Sequence, residues 1–284
     1  MTNVQLGRGA MLAALVAGSI ACSNGEPEVK VAPTAEKLAP AAPKSVAASA
    51  FTVTKVGSKI DFTMDAPLET ILGKVRDAAG GELQIDTADL TKTTGLVSVD
   101  ISGLELFQRT REKEGEALGA ETKQDKQNEH ARAWLELDEG EGADEARKQQ
   151  VRVNRTVQFS IKSVKTDTPD VSKLTGNERR VRATVTGEFL LHGHKTERTA
   201  EVELTFKIGP GGKPIAIALK TTKPFAVGLA EHDVRPRDTI GKLLAKGLDA
   251  LSPKVAKDAM VAIELSLAPA AERATKGAAP YPTP

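Results

Sequence analysis

The sequence predicts an all-β protein built as an antiparallel sandwich or barrel, and three observations lead to this prediction. Apolar and polar residues alternate with a period of two in many short segments, which is typical of strands with one buried and one solvated face. Turns rich in Gly and Pro separate these segments. The sequence lacks the strand–helix–strand alternation that would indicate a parallel sheet.

The first 22 residues differ from the rest of the chain. Arg8 precedes an apolar run over residues 10–21, which has the length of a secretory core region and is shorter than the roughly 20 apolar residues of a membrane span. Ala21 and Cys22 follow, so we expect a bacterial lipoprotein signal over residues 1–21, cleavage before Cys22, and lipidation of Cys22. Ser19 stands where a lipobox usually has Leu, and the alternative is an ordinary secretory signal with an incidental cysteine.

The cysteine and charge content limits the partners and the chemistry. Cys22 is the only cysteine, so the mature fold has no disulfide, no cysteine-based metal site and no thiol nucleophile. Acyl chains on Cys22 would hold the protein on a membrane surface of the cell envelope, facing the periplasm. Ser23 favours the outer membrane by analogy with lipoprotein sorting. With 39 basic and 38 acidic residues, we expect no nucleic-acid partner.

Composition divides the remaining chain into three parts. Residues 22–50 are rich in Pro, Ala and charged residues and have few large apolar side chains, which predicts a solvated, disordered tether. Residues 51–268 contain the alternating segments and form the predicted folded domain. Residues 269–284 have a composition similar to that of the tether and are predicted to be a disordered tail.

The predicted strands follow one another along residues 51–268. Their alternating apolar residues are Ile60, Phe62 and Met64; Val97, Val99 and Ile101; Val157, Phe159 and Ile161; Val181, Ala183, Val185, Phe189 and Leu191; Ala200, Val202, Leu204, Phe206 and Ile208; Ile215, Ile217 and Leu219; and Val261, Ile263, Leu265 and Leu267.

Two stretches interrupt this pattern and predict short helices. Ala131, Trp134 and Leu135 have helical spacing, so we expect a helix near residues 122–137, followed by an acidic, Gly-containing loop. Residues 239–258 carry leucines spaced three or four apart, which predicts an amphipathic helix. Both helices are expected to cover an opening or an edge of the sheet.

The order and spacing of these segments resemble the YceI-like family. Residues 51–62 and 73–86 look like its first hairpins, residues 128–132 like its short helical segment with a His followed by a basic residue, and residues 157–164 like its next strand. The most specific match is residues 185–193, a Gly-containing strand that ends in His-Gly. The resemblance implies a secreted, lipocalin-like β-barrel of about eight strands that binds long isoprenoid chains. The chain departs from the family after residue 193 and in the charged insertion at 138–150.

The alternation places one set of side chains inside this barrel, and these are the candidate ligand-binding residues: Phe62, Phe159, Val185, Phe189, Leu204, Phe206, Ile217 and Ile263. Such a lining suits an apolar ligand, an isoprenoid or a quinone-like lipid, with no other cofactor. The alternative is a filled barrel that acts as an envelope stress or interaction scaffold, with its function on residues 103–150. Leu244 and Leu248 are candidate lid residues on the second predicted helix. In the alternative, the apolar face of this helix lies on a membrane or on a partner protein.

The histidines suggest two other functions, metal binding and catalysis. His192 and His194 would face the same side of a continuing strand and chelate a metal, but Gly193 marks a turn and no third ligand follows at a suitable spacing. No Gly-x-Ser-x-Gly motif supports a serine hydrolase. We therefore predict a binding protein without catalytic or metal-binding residues. The sequence leaves open whether two chains form a homodimer.

Overall fold

The computed structural model describes residues 31–235 and 256–271. Cys22 and the preceding leader, Leu244 and Leu248 of the predicted lid helix, and residues 272–284 lie outside these ranges. None of the helices in the described ranges has the length and apolar character needed to cross a membrane.

The described residues contain one antiparallel sheet of twelve strands and two α-helices. The strands are β1 (Ser49–Ala66), β2 (Glu69–Arg76), β3 (Ala79–Ile85), β4 (Thr94–Asp100), β5 (Glu105–Thr110), β6 (Thr122–Lys123), β7 (Thr156–Lys165), β8 (Glu178–Leu191), β9 (His194–Ile208), β10 (Pro214–Thr221), β11 (Phe225–Gly228) and β12 (Asp258–Pro269). The helices are α1 (Asp125–Trp134) and α2 (Glu145–Arg155), and both lie between β6 and β7 in the chain.

Eight strands close into a barrel. Their order around the barrel is β1, β3, β4, β7, β8, β9, β10 and β12, and β12 pairs again with β1. Closure pairs the edge strands with each other, so the barrel has no open edge. The structure confirms the antiparallel, lipocalin-like barrel of about eight strands that the sequence predicts.

The remaining strands extend the barrel at one end. The long strand β1 pairs with β3 in its first half, where Phe51 opposes Leu83, and with β2 in its second half, where Phe62 opposes Gly73. An irregularity between Thr54 and Lys59 separates the two halves. In the same way, β5 pairs with β2 and β11 pairs with β12. We call the half that contains β2, β5 and β11 the cavity end, and the half where residues 49–54 of β1 pair with β3 and β12 the packed end.

Side chains fill the packed end. Val53, Leu267, Ile217 and Phe206 oppose one another in register on four neighbouring strands, β1, β12, β10 and β9. Each of the four is at most 4% exposed. Burial of apolar surface contributes about 25 cal/mol per Å², so this layer is a major source of barrel stability.

The helical region differs in part from the sequence prediction. α1 lies inside the predicted range 122–137, and Asn128 fixes it to β5 because its side chain accepts from Leu106 N at 2.7 Å and donates to Leu106 O at 3.0 Å. The acidic loop expected after it ends in α2, a helix that the sequence pattern does not predict. The carboxylate of Asp144 caps α2 by accepting from Arg147 N at 2.8 Å, and Val151 is fully buried.

Residues 31–48, whose composition predicts a solvated, disordered tether, follow the surface of the barrel, and most of their side chains are exposed. Their extended backbone starts at the turn between β8 and β9, where Ala35 N donates to Gly193 O at 2.7 Å. The segment then follows β7, since Leu38 N donates to the Gln158 side chain at 2.7 Å, and the Leu38 side chain is buried. At the packed end, the Ser45 hydroxyl donates to Asp86 at 2.6 Å. An extended, Pro-rich backbone retains enough donors and acceptors to bind along a barrel in this way.

Candidate functional site

A cavity of about 380 Å³ lies at the cavity end of the barrel, beneath α1. Its volume is within the range of about 300–1,000 Å³ that is usual for small-molecule sites. Most lining side chains are apolar; they include Ile60, Met64, Ile71, Val75, Val99, Leu106, Val157, Leu191, Val227, Leu229, Val234, Ala259 and Val261. The lining therefore favours a ligand that gains affinity from hydrophobic burial.

The alternation of β1 and β12 produces one wall of this cavity. Ile60 opposes Ile263, and Phe62 opposes Val261, so both pairs lie on the inner face of the same two strands. Gly73 of β2 leaves room for the Phe62 ring, because a Cβ atom at Gly73 would lie 2.1 Å from Phe62 Cε1. The Phe62 ring therefore occupies the space that a side chain at this position would take.

α1 forms the cover. Gln127, His130, Ala131 and Trp134 all line the cavity, and their i, i+3, i+4 and i+7 spacing places them on one face of the helix. The predicted role of this helix as a cover over an opening of the sheet is therefore confirmed.

Few polar side chains line the cavity. They are Glu69 at the start of β2 and Gln127 and His130 on α1. The Gln127 side-chain nitrogen donates to Gln108 at 3.3 Å, but its buried Oε1 has no hydrogen-bond partner among the described residues. A buried acceptor without a donor costs about 1–3 kcal/mol, and a ligand donor would remove that cost.

The eight candidate ligand-binding residues divide between the two ends of the barrel. Phe62, Phe189 and Ile263 line the cavity. The other five do not: Val185, Leu204, Phe206 and Ile217 are buried in the core, and Phe159 packs against that core. The Phe159 ring covers Gly187, where an added Cβ would lie 2.7 Å from Phe159 Cζ. The alternation identifies inward-facing residues, but it carries no information on which level of the barrel is filled.

Gln127 and His130 of α1 line the cavity but are not among the predicted ligand-binding residues. Their signal was present, because they complete the helical spacing with Ala131 and Trp134. Ile71 and Val75 of β2 were also missed, because Gly73 lies between them and weakens the strand pattern.

Three of the four histidines lie together at the cavity end. His232 Nδ1 lies 3.0 Å from His194 O and 3.2 Å from Leu191 O, and Phe189 contacts the His232 ring edge-on with ring centroids 5.5 Å apart. Burial lowers the pKa of His232 to about 4, so its ring is neutral near pH 7 and donates from Nδ1 to these carbonyls.

His192 and His194 acquire a third neighbour that sequence spacing did not reveal. The turn Ala230–His232 places Asp233 beside them, and one possible ligand atom from each of His192, His194 and Asp233 lies within 4.8 Å of the others. Asp233, which is distant in sequence, meets the two histidines here because the turn between β8 and β9 and the segment after β11 lie at the same edge of the barrel.

Comparison with known proteins shows similarity to solved structures that include the following two. One is a polyisoprenoid-binding domain from Saccharophagus degradans implicated in plant cell wall breakdown, with 13% sequence identity, a TM-score of 0.45, and coverage of 78% of this chain and 99% of that chain. The other is Burkholderia cenocepacia BcnA, with 12% identity, a TM-score of 0.42, and coverage of 76% and 98%. Comparisons of the sequence with family models and with curated proteins gave no match.

Proposed function

We propose that this protein binds a lipid with an apolar chain inside the cavity end of its barrel. The single observation that carries the proposal is the cavity of about 380 Å³ with its apolar lining beneath α1. A filled scaffold, the alternative considered from the sequence, has no need for such a space. We regard an isoprenoid or quinone-like lipid as the first ligand to test, as the resemblance to the YceI-like family implies.

Gln127 gives this ligand a preferred orientation. Its Oε1 needs a donor, and a hydroxyl or amide N–H at one end of an apolar chain supplies one. We therefore propose that a chain with a donor group at the α1 end, such as a polyprenol, binds more tightly than a plain hydrocarbon or a quinone, whose carbonyl oxygens only accept hydrogen bonds. Binding such a molecule requires no covalent chemistry from the protein.

The envelope role belongs to the same proposal. Acylation of Cys22 would place the barrel beside a membrane, where apolar chains are available, and would make the protein a periplasm-facing lipoprotein. Labelling of the wild-type chain with a radioactive fatty acid in a bacterial host tests this part. We expect incorporation that Cys22→Ser abolishes; incorporation by the variant, or none by the wild type, would contradict it.

The binding proposal is tested with the full chain carrying Cys22→Ser, purified from a bacterial host without added ligand. Native mass spectrometry, followed by organic extraction, is expected to show one apolar adduct per chain. If none is retained from the host, incubation with a quinone and a polyprenol is expected to restore it. A clean apo mass after both steps would reject lipid binding and favour the scaffold.

A matched pair of variants on α1 assigns the adduct to the cavity. Ala131 lines the cavity, whereas Ala133 on the same helix is exposed. We expect Ala131→Trp to displace the adduct by filling its space, and Ala133→Trp to retain it. Equal retention by both variants, with unchanged circular dichroism, would place the ligand elsewhere.

A further inference from the structure

We propose that His192, His194 and Asp233 form a binding site for a first-row divalent transition-metal ion such as Zn²⁺, separate from the lipid cavity. The three side chains come from the turn between β8 and β9 and from the turn after β11. One possible ligand atom of each lies within 4.8 Å of the others. A tetrahedral zinc ion needs ligand atoms about 3.4 Å apart, so side-chain movements of little more than 1 Å close the site.

Backbone carbonyls orient both imidazoles for this role. His192 Nδ1 lies 3.1 Å from His232 O, and His194 Nδ1 lies 2.8 Å from Ala32 O. A carbonyl only accepts hydrogen bonds, so in each neutral ring the proton is on Nδ1 and the lone pair on Nε2. Metal-binding histidines in proteins usually show this arrangement, with the second ring nitrogen donating to a carbonyl or carboxylate.

A second carboxylate lies beside the three side chains. Glu136, which follows α1, has its Oε2 3.3 Å from His192 Nε2. Arg147 contacts the other oxygen of Glu136 at 3.3 Å, and Arg235 donates to Asp233 Oδ1 at 2.7 Å. These arginines orient the two carboxylates as hydrogen-bonding groups around a metal site commonly do. Glu136 lies beside His192 but is not one of the three side chains whose ligand atoms lie within 4.8 Å of one another.

The backbone conformation at these positions is unusual. Among the described residues, four non-glycine residues have a left-handed backbone, and three of them are His192, Asp233 and Glu136, with φ values of 50°, 52° and 49°. Non-glycine residues adopt this conformation at a cost, and such residues concentrate at functional sites. The conformation brings side chains from three separate elements to one point.

The donor set selects the class of ion. Two imidazole nitrogens with one or two carboxylate oxygens suit Zn²⁺, Co²⁺, Ni²⁺ or Cu²⁺, whereas Mg²⁺ and Ca²⁺ prefer sites made of oxygen atoms alone. Leu191 and Val234, the chain neighbours of His192 and Asp233, line the lipid cavity. A bound ion would therefore join the end of α1, the turn between β8 and β9, and the chain after β11 beside the cavity.

Isothermal titration of zinc into the full chain tests the proposal. We use the chain carrying Cys22→Ser, so that the only thiol does not contribute, after treatment with a chelator and desalting. We expect one zinc ion per chain, little heat with Mg²⁺, and a Co²⁺ form with the absorption bands of a four-coordinate site. No zinc binding by this protein, or equal affinity for Mg²⁺, would overturn the proposal.

Variants locate the ion. We expect His194→Ala and Asp233→Asn each to weaken zinc binding at least tenfold, and His130→Ala, which changes an exposed histidine on α1, to leave it unchanged. His192→Ala removes a buried side chain, so the melting temperature of this variant is measured first. If His192→Ala does not fold, the zinc affinity of His194→Ala decides whether the ion binds here. Unchanged zinc affinity in a folded His194→Ala protein would reject this site. Loss of affinity in His130→Ala would assign the ion to a different one.

Discussion

Replacing Phe206 or Phe62 by Ala tests whether the barrel has one filled and one hollow end. Both rings point inward, but Phe206 is fully buried in the packed end, whereas Phe62 is half-buried and lines the cavity. Removal of a fully buried Phe costs about 3–5 kcal/mol, since it combines lost apolar burial with a new cavity. A ring that already borders an open space loses fewer contacts, and we expect a cost of about 1–2 kcal/mol for Phe62→Ala.

Urea unfolding at equilibrium, monitored by circular dichroism, measures this difference. We expect the midpoint of Phe206→Ala to fall well below that of Phe62→Ala, with similar slopes for both variants. If the loss of stability leaves Phe206→Ala unfolded, Phe206→Leu takes its place and is expected to retain a measurable transition. Equal losses for the two alanine variants would refute the division into a packed and a hollow end.

Three further predictions follow from particular contacts. Leu38→Ala is expected to lower the free energy of unfolding by about 2–3 kcal/mol, measured by urea unfolding, because this side chain is buried against the barrel; no change would mean that residues 31–48 stay in solvent. The hydrogen bond from Ser45 lowers the pKa of the Asp86 carboxyl, so this bond stabilises the fold at neutral pH and the stabilisation is lost as pH falls below about 4. The difference in free energy of unfolding between wild type and Ser45→Ala should therefore shrink below this pH. A difference that stays constant with pH would contradict the role of this hydrogen bond. Gly187→Ala should markedly lower the melting temperature, because the new Cβ would lie 2.4 Å from a backbone oxygen and 2.7 Å from the Phe159 ring; a wild-type melting temperature would argue against this close approach.

The strands of the barrel could be predicted from the sequence because their pattern is local. Alternation along β8, β9 and β12 separates inward from outward side chains without knowledge of the partners. α2 escaped prediction because it is mostly polar and buries only Val151, Val153 and Asn154, so tertiary contacts rather than a long apolar stripe hold it in place.

The candidate sites depend on information that the pattern lacks. Phe62 and Phe206 have equivalent positions in their alternating segments, yet only Phe62 borders the cavity, because its level in the barrel is set by the register of β1 with β2 and β12. His194 and Asp233 meet only after the barrel has closed. Such proximity depends on topology, so periodicity along the chain cannot reveal it.

The attachment of residues 31–48 to the barrel limits how far the protein could stand from a membrane. Ala32 N donates to Glu231 O at 2.8 Å, which fixes the start of this segment at the cavity end. If Cys22 carries lipid, eight residues lie between it and Val31, and the nine Cα–Cα steps from Cys22 to Val31 reach at most about 30 Å, compared with about 95 Å for an unattached tether that extends to residue 50. The short reach would orient the barrel with its cavity toward the bilayer, so that an apolar chain could pass between membrane and protein with little exposure to water.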